Sequence, residues 1–353
     1  MVVSKEVVAV GDPLVDLSVT LDQEMLRDIR KETGDDEFEL GGRQAVSPEF
    51  LTGLVQRLRS RGMDVKRCAG GSASNMAKAL AQLRRMDNEP EESGFFGARG
   101  LDDLGRYFGE AMESKGVRTM GPVREGHTTG TCLCLVSRET GQRTMRTCNG
   151  ASATVSASDW PPKEIDGGGV GHVHVEGYLF RDPGMMEKIF ETMKSAGAST
   201  SVDLASFEMV RARRDAIRGV LDGRELVDIL FCNEDEADAF VGPDGDKVEV
   251  LGPLAQIVVV SLGARGCMAI HEGKVTRAGA PDIRVVDTTG AGDFFTAGFL
   301  CSRLRGGSLE ESCRVACLSG AAACLQLGTD ISLEELKEFV SSGGGGEGGG
   351  GGD

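Results

Sequence analysis

The stretch VVDTTGAGDFFTAGFL, residues 285–300, decides the fold prediction, because small residues join the end of an apolar strand to an apolar helix. Gly290, Ala291 and Gly292 have little or no side chain, so three backbone N–H groups are free to converge at the helix N-terminus. The aligned peptide dipoles at that end favour negative charge. The stretch therefore predicts a cradle for a phosphate group or an oxyanion.

Asp293 stands in the first turn of the same helix, where its carboxylate would repel a bound anion. A role that fits is to accept the proton of an attacking hydroxyl group while the helix end stabilises charge on a transferred phosphoryl group. The alternative is a glycine-rich helix start in which Asp293 is an ordinary first-turn acid, since G-x-G patterns alone are common. Residues 285–300 by themselves leave both interpretations open.

Strand-like and helical segments alternate on both sides of this stretch. Short β-branched runs are separated by longer segments in which apolar residues recur with a helical period. In the second half of the chain, four strands are predicted to alternate with helices: Val170–Val175, Thr200–Asp203, Ile229–Cys232 and Ile257–Ser261. This alternation predicts βαβ units and an α/β fold, in which helices cover both faces of a central, mostly parallel sheet.

The first half of the chain mixes helices with hairpin-like segments. Ser47 and Pro48 mark the start of an amphipathic helix, whereas residues 130–136 and 142–147 form a predicted hairpin. This mixture predicts a small β lid attached to the main sheet. The predicted α/β domain covers residues 1–340, with lid segments at roughly 16–45 and 122–150.

The composition excludes several classes of function. The chain has 353 residues, with 39 Lys and Arg against 55 Asp and Glu, which gives a formal charge of −16 at pH 7. Nucleic acid and anionic membranes need clustered basic residues, whereas an anionic small molecule needs only one locally positive pocket. We therefore expect no nucleic-acid partner and no membrane partner.

The start of the chain, MVVSKEVVAVGD, leads almost at once into a strand and leaves no room for a signal peptide. No stretch of eighteen apolar residues is present, so no transmembrane helix is expected. None of the ten cysteines forms a CxxC pair. They are predicted to be reduced core residues of a cytoplasmic protein, with zinc ligands or a disulfide framework as the alternative. The glycine-rich residues 341–353 predict a disordered tail.

Two segments in the first half suit a polyhydroxyl ligand. In CAGGSASN, residues 68–75, paired glycines precede a helix and let the backbone approach a ligand, and Asn75 offers both a donor and an acceptor. A plain loop-to-helix junction is the alternative. Asp12 and Asp16 follow the first strand, at the edge of the sheet where α/β proteins bind ligands. Asp16 suits a vicinal diol, whereas Asp12 is predicted to be a turn residue.

Two segments in the second half suit a nucleotide and its metal. The run NEDE, residues 233–236, follows a predicted strand, and its oxygen atoms could hold Mg²⁺ through water. The run SLGARG, residues 261–266, follows the Val-rich strand and again brings small residues to the end of a strand. A tight left-handed turn is the alternative for this second run.

Together these segments resemble the ribokinase/PfkB family of sugar and nucleoside kinases. AGGSASN at residues 69–75 and DTTGAGDFFTAGF at residues 287–299 are similar to the two signatures of that family. NEDE at residues 233–236 is similar to its N-x-x-E motif, and SLGARG at residues 261–266 to its nucleotide loop. The resemblance extends over about residues 7–340 and implies a ribokinase-like fold.

The resemblance also implies the reaction, which is transfer of the γ-phosphoryl group of ATP to a primary hydroxyl group of a sugar or nucleoside. Asp293 would be the base, and the N–H groups of Gly290, Ala291 and Gly292 the anion hole. The acceptor would be held by Asp16, Gly70, Gly71 and Asn75. Asn233 and Glu236 would organise Mg²⁺ and the phosphates. The nucleotide site would be lined by Ser261, Gly263 and Gly266. Asp287 and Thr289 match positions near which family members often hold a monovalent cation such as K⁺.

Several alternatives stay open at this level. The GGSASN motif and the long segment 20–49 resemble adenosine-kinase-like members, whereas RTMRTCNGAS at residues 143–152 also occurs in sugar kinases, so both acceptor classes remain. Residues 318–323 lack the Asn that many members carry beside adenine, which leaves the phosphoryl donor open. The family's lid strands sometimes pair into a homodimer. A catalytically idle binding or regulatory protein is the second hypothesis, whereas a dinucleotide-dependent oxidoreductase fails because GDPLVD replaces G-x-G-x-x-G after the first strand.

Overall fold

The computed structural model describes residues 6–33, 43–86, 93–139, 143–161, 169–243, 245–326 and 328–342. The tip of the predicted hairpin, residues 140–142, and the predicted tail from residue 343 lie outside the described residues. The strands are β1 Glu6–Val10, β2 Leu14–Leu21, β3 Arg43–Ala45, β4 Lys66–Gly70, β5 Ser93–Phe96, β6 Arg99–Gly100, β7 Val117–Met120, β8 Val123–Arg124, β9 Gly130–Ser137, β10 Arg143–Cys148, β11 Val170–Val175, β12 Ser199–Asp203, β13 Ile229–Asn233, β14 Ile257–Ser261, β15 Cys267–His271 and β16 Lys274–Ala278. The helices are α1 Gln23–Thr33, α2 Pro48–Ser60, α3 Ser72–Met86, α4 Asp103–Ser114, α5 Pro183–Ser195, α6 Phe207–Leu221, α7 Glu234–Val241, α8 Lys247–Leu251, α9 Ala291–Leu304, α10 Leu309–Ala323 and α11 Leu333–Ser341.

The main sheet has nine strands in the order β16-β15-β14-β13-β12-β11-β1-β5-β7, and all its pairings are parallel except those of β15 with β14 and β16. Successive side chains of a strand point to opposite faces of a sheet. In β1, Val7 and Ala9 belong to the core cluster that contains α3, α9 and α10, whereas Val8 and Val10 belong to the cluster that contains α5, α6 and α7. The predicted α/β architecture, with helices on both faces, is therefore confirmed.

A second sheet of five strands, called here the small sheet, has the order β3-β10-β9-β2-β4. The predicted lid segments supply four of its strands, and the fifth is β4, which the sequence did not indicate. On β2, Val15, Leu17 and Val19 are buried and alternate with half-buried residues. These three side chains share a core cluster with Leu54 and Leu58 of α2, so one face of the small sheet is apolar and covered.

Local signals in the sequence give several correct boundaries. Helix α2 begins at Pro48, and the hydroxyl group of Ser47 accepts the N–H of Phe50 at 3.2 Å, as the cap signal predicted. The hairpin of β9 and β10 is antiparallel, with Leu133 opposite Arg146. None of the helices in the described ranges combines the length and the apolar character needed to cross a bilayer.

The predicted strand end at Val285 and Val286 is wrong. These side chains are 55% and 54% exposed and belong to no strand, because β16 already forms the edge of the main sheet and no neighbouring strand pairs with them. The N–H of Val286 donates instead to the carbonyl oxygen of Cys324, just beyond α10, at 2.8 Å. This bond fixes the segment that leads into α9.

Candidate active site

The N-terminus of α9 is built on a left-handed glycine. Gly290 has φ +78°, and a Cβ atom at this position would lie 2.5 Å from Cγ2 of Thr329. Its carbonyl oxygen accepts the N–H of Phe294 at 2.9 Å, and Gly292 faces a cavity. The N–H of Ala291 donates to the carbonyl oxygen of Thr288 at 3.2 Å, so this predicted cradle amide also closes the turn.

Asp293, in the first turn of α9, is held by two residues of α3. Its Oδ1 accepts the hydroxyl proton of Ser72 at 2.7 Å, and its Oδ2 accepts an N–H from the Asn75 amide at 2.9 Å. Oδ1 of Asn75 is buried and receives no hydrogen bond from any residue that the structure describes. The two motifs that the sequence suggested separately, residues 69–75 and 287–293, thus meet at one carboxylate, beside a buried amide oxygen that no described donor satisfies.

Burial raises the pKa of Asp293 to about 7. The hydrogen bonds from Ser72 and Asn75 oppose this rise by stabilising the ionised form, and the charge of Lys78 also opposes it. The charge of Asp203 raises the pKa further. A carboxylate with a pKa near neutrality can take up a proton and release it again at physiological pH.

The paired glycines before α3 bring the backbone close to two acidic residues. Gly71 has φ +94°, and a Cβ atom there would overlap the carbonyl oxygen of Asp12. A Cβ atom on Gly70 would overlap the carboxylate of Asp16. Asp16 comes after β1 along the chain, as the sequence indicated, and lies on β2 of the small sheet, opposite Cys68 of β4. It therefore approaches the predicted acceptor site from the small sheet.

The turn prediction for Asp12 misses its main role. Asp12 is buried, and both its carboxylate oxygens accept N–H groups from the guanidinium of Arg181, at 2.7 and 2.9 Å. Its own N–H donates to Glu176 Oε1 at 2.8 Å, and the N–H of Ala73 donates to Glu176 Oε2 at 3.1 Å. Glu176 therefore connects the ends of β1 and β11 to the start of α3, with 103 residues of chain between Glu176 and Ala73.

A cavity of about 160 Å³ opens at the edge of the main sheet where the parallel strands end. Residues of five elements line it: Asp203 of β12, Asn233 of β13, Glu236 of α7, Ser261 of β14, and Gly292 and Asp293 of α9. Asp203 is the last residue of β12, and no sequence motif pointed to it. It also contacts His174 of β11, which is buried together with His172 of the same strand.

The predicted metal-organising pair, Asn233 and Glu236, forms a reciprocal cap at the start of α7. Asn233 Oδ1 accepts the N–H of Glu236 at 2.9 Å, and the two Glu236 oxygens accept the backbone and side-chain N–H groups of Asn233, at 2.9 and 2.7 Å. Burial raises the pKa of Glu236 to about 7. No cluster of three or more metal-ligating side chains occurs within the described ranges. The side-chain oxygens of both residues are already bonded within the cap, and the Mg²⁺ role of the pair stays a prediction.

The nucleotide-loop candidate divides into two parts. Ser261 lines the cavity, whereas Gly263 and Gly266 form a left-handed turn outside it, with φ +58° and +88°. A Cβ atom on Gly266 would overlap the carbonyl oxygen of Ala278 on the neighbouring strand β16. The turn interpretation therefore describes the backbone here correctly, and it leaves a role in nucleotide binding open.

Asp287 and Thr289, the residues that match a monovalent-cation position, brace the loop before α9. Asp287 Oδ1 accepts the backbone N–H of Thr289 at 3.0 Å and its hydroxyl proton at 2.9 Å. Asp287 Oδ2 accepts the N–H of Gly328 at 2.9 Å. The cation role stays a prediction. All ten cysteines lie within the described ranges without a disulfide; seven are buried, whereas Cys68, Cys132 and Cys134 are half-buried.

The chain is similar to sugar and nucleoside kinases along most of its length. The family model described as pfkB family carbohydrate kinase matches residues 48–336. The chain belongs to this family. It is 30% identical over 269 residues to an ATP-dependent ribose-1-phosphate kinase of Halopiger xanaduensis, covering 72% of this chain and 80% of that protein. It is 23% identical over 332 residues to adenosine kinase 1 of Arabidopsis thaliana, covering 87% and 90%.

Solved structures give the same relationship. The adenosine kinase of Sinorhizobium meliloti is 26% identical, has a TM-score of 0.79, and is matched over 96% of this chain and 99% of that one. A probable sugar kinase of Rhizobium etli CFN 42 is also 26% identical, with a TM-score of 0.78 and the same coverage. This PfkB chain is thus a phosphotransferase that acts on a hydroxyl group. Kinases of this family use ATP and typically Mg²⁺.

The close approach at Gly11 gives a first testable prediction. A Cβ atom on Gly11 would overlap the Glu176 carboxylate and lie 2.6 Å from Cβ of Ala73. We expect Gly11→Ala to lower the free energy of unfolding by about 1–3 kcal/mol, measured by urea denaturation. Gly184→Ala is the matched control, because its Cβ atom would lie at an ordinary 3.6 Å from Asp182, and it should leave stability unchanged or slightly higher. Equal losses in both variants would contradict the prediction.

The raised pKa of Asp293 predicts a gain of stability on removing its charge. Because the folded-state pKa is about 7 and the ordinary value is 3.8, ionised Asp293 is disfavoured in the folded protein, and this destabilisation grows as pH rises from about 4 to 7. Asp293→Asn can keep both hydrogen bonds, since the Ser72 hydroxyl group can accept as well as donate. We therefore expect its advantage in unfolding free energy over the unaltered protein to be larger at pH 8.5 than at pH 5.5. A difference independent of pH would contradict this expectation.

Proposed function

We propose that this PfkB kinase transfers the γ-phosphoryl group of ATP to a primary hydroxyl group of a sugar or nucleoside. The observation that carries the proposal is the position of Asp293. It stands in the first turn of α9, beside a cavity, and is bound by Ser72 and Asn75 of the other family motif. A first-turn acid with a purely structural role would not need two hydrogen-bond donors from side chains of a helix about 220 positions away in the sequence.

Asp293 is proposed to be the general base. One of its carboxylate oxygens accepts the proton of the acceptor hydroxyl group as that oxygen attacks the γ-phosphorus atom and the bond to ADP breaks. The N–H groups of Gly290, Ala291 and Gly292 would stabilise charge on the transferred group, since they begin a helix whose dipole favours anions. The N–H of Ala291 would contribute less than the other two, because it also donates to the carbonyl oxygen of Thr288. The pKa near 7 supports this role, because such a base is partly ionised at neutral pH and still binds a proton well.

The acceptor is proposed to lie between α3 and the small sheet. Asp16 of β2 meets the backbone at Gly70, and Gly71 packs on Asp12, so an acceptor held there would lie near Asn75, whose buried Oδ1 has no described donor. The Asp16 carboxylate would accept two ring hydroxyl groups, and Asn75 would bind a third beside Asp293. A furanose ring presents hydroxyl groups in this way both as a free sugar and within a nucleoside.

The nucleotide is proposed to lie on the other side of the cavity, along Ser261, Gly263 and Gly266. Mg²⁺, when bound, would neutralise phosphate charge, and Asn233 and Glu236 would hold it through water. Three carboxylates of one cavity, those of Asp203, Glu236 and Asp293, give it an excess of negative charge that a cation would relieve. K⁺ beside Asp287 and Thr289 is part of this proposal.

Loss of the base is the direct test. We expect Asp293→Asn to lower kcat by roughly 10²–10⁴-fold, because no other described group takes its position, while the affinity for Mg·ATP, measured by calorimetry, changes little. Asp215→Asn, on the exposed side of α6, is the control and should retain full activity. Substantial turnover by the Asp293 variant would show that the base is assigned wrongly.

The acceptor is tested by coupling ADP formation to a panel of adenosine, other nucleosides, ribose, ribose 1-phosphate and fructose. We expect at least one of these compounds to stimulate ADP formation by more than tenfold over the ATP-only rate. A protein that binds Mg·ATP but is stimulated by none of them would support the second hypothesis, an idle binding or regulatory protein.

A further inference from the structure

Besides Asp293 and Glu236, a third carboxylate lines the cavity, that of Asp203, and the proposed reaction gives it no role of its own. Asp203 ends β12, where its Oδ1 accepts the N–H of Gly177 at 3.1 Å and its Oδ2 lies 3.3 Å from His174 Nε2. We propose that Asp203 is a positioning residue for phosphoryl transfer: its carboxylate, held in the shared cavity by Gly177 and by a serine–histidine chain, strengthens the binding of the proton that Asp293 takes from the acceptor. The catalytic part of this inference rests on the proposed function; the electrostatic part does not.

The serine–histidine chain runs between β11 and β12 on the face of the main sheet that α3 and α9 cover. The strand register sets His172 opposite Ser199 and His174 opposite Ser201. His172 Nδ1 lies 2.7 Å from the Ser199 hydroxyl group, and His172 Nε2 lies 2.7 Å from that of Ser201. His174 Nδ1 lies 2.9 Å from the same Ser201 oxygen. Both histidines are 1% exposed and Ser201 is buried, whereas Ser199 at the far end of the chain is half-buried.

The chemistry of the members gives the chain one order of donors when His174 is neutral and Asp203 ionised. An ionised carboxylate only accepts, so His174 Nε2 must carry the proton that faces Asp203. His174 Nδ1 then accepts from Ser201, and Ser201 accepts from His172 Nε2. Burial lowers the pKa of His172 to about 3, so this histidine is uncharged. In this order its Nδ1 accepts the single hydroxyl proton of Ser199, which then points to His172 at 2.7 Å and not to the Gly171 carbonyl oxygen at 3.2 Å. In this order Asp203 accepts two hydrogen bonds, one from His174 Nε2 and one from the N–H of Gly177.

The charged groups around Asp293 act in opposite directions. Lys78, from α3, lowers its pKa, whereas Asp203, from β12, raises it. Glu236, from α7, and His174, from β11, line the same cavity. The charge of Asp203 also raises the pKa of Glu236, so a single carboxylate influences two acids of the site. Like charges that share one cavity of low polarity disfavour each other's ionised forms.

The electrostatic part is tested without turnover. The unfolding free energy is measured between pH 5.5 and 8.5 for proteins with and without Asp293→Asn, in the unaltered chain and in a chain that carries Asp203→Asn. We expect the pH-dependent advantage of Asp293→Asn to become smaller in the Asp203→Asn background and to level off about one pH unit lower. Thr200→Val is the control background, because Thr200 bonds to Leu226 and Asp228 outside the chain, and it should leave this pH dependence unchanged. Identical curves in the Asp203→Asn and unaltered backgrounds would overturn the proposal.

The order of donors is tested by ¹⁵N NMR of the histidine rings, which is practical because the chain has four histidines. At pH 7.5 we expect neutral rings with the proton on Nε2 for both His172 and His174. A proton on Nδ1 alone of His174, or a positively charged His174 ring, would overturn the proposal, since Asp203 would then lack its donor or its net charge would be neutralised. Because the NMR measurement uses the unaltered protein, it tests the proposal even if the Asp203→Asn variant does not fold.

The catalytic part is tested by the pH profile of kcat with an acceptor found in the panel. We expect Asp203→Asn to move the acidic limb down by about one pH unit, while KM for Mg·ATP stays within about twofold. Ser201→Ala, which breaks the chain and spares the carboxylate, should move it less in the same direction. If the acidic limb of the kcat profile of Asp203→Asn does not move, and the variant needs a higher Mg²⁺ concentration for half-maximal activity, the proposal is overturned and Asp203 is a metal contact. An unaltered protein that turns over no acceptor would instead disprove the proposed function and leave the stability measurement valid.

Discussion

Two backbone N–H groups, those of Asp12 and Ala73, share one buried carboxylate, that of Glu176, and the geometry of the site depends on this sharing. Glu176 follows β11, Asp12 follows β1, and Ala73 is the second residue of α3. Burial and the nearby charge of Asp12 raise the pKa of Glu176, which opposes its ionised form. The two N–H donors favour that form, and the paired guanidinium of Arg181 lies beside it. The carboxylate therefore anchors the start of α3 to two adjacent strands of the main sheet.

This anchor determines what α3 can do for α9. Ser72 and Asn75 stand on either side of Ala73, and their side chains reach Asp293 within 2.7 and 2.9 Å. A rotation of the first turn of α3 would separate at least one donor from its acceptor oxygen, because hydrogen bonds weaken steeply with misalignment. Helix α3 thus orients the proposed base, Asp293, and Glu176 fixes the start of α3 without contacting Asp293. The proton affinity of Asp293 depends on its burial and on the charges of Lys78 and Asp203.

Features within a few residues of one another could be predicted from the sequence, and features that join distant segments could not. The cap at Ser47, the alternation of strands and helices and the start of a helix at residues 290–292 are local features, and the structure contains each of them. The bond from Ala73 to Glu176 spans 103 residues and leaves no local pattern. The Val285–Val286 pair shows the opposite error, since β-branched residues favour a strand but form one only where a neighbouring strand is available to pair.

The histidines of β11 show how close such a prediction can come. H-x-H on one strand and S-x-S on the next each follow the two-residue period of a strand, so each pair shares a face. What the sequence lacks is the register, which sets His172 opposite Ser199 and His174 opposite Ser201. A shift by one residue would put the serines on the other face and leave two buried imidazoles without their partners, which costs far more than the single bonds contribute. The register of β11 and β12 therefore decides whether the carboxylate of Asp203, at the cavity, is hydrogen-bonded by His174.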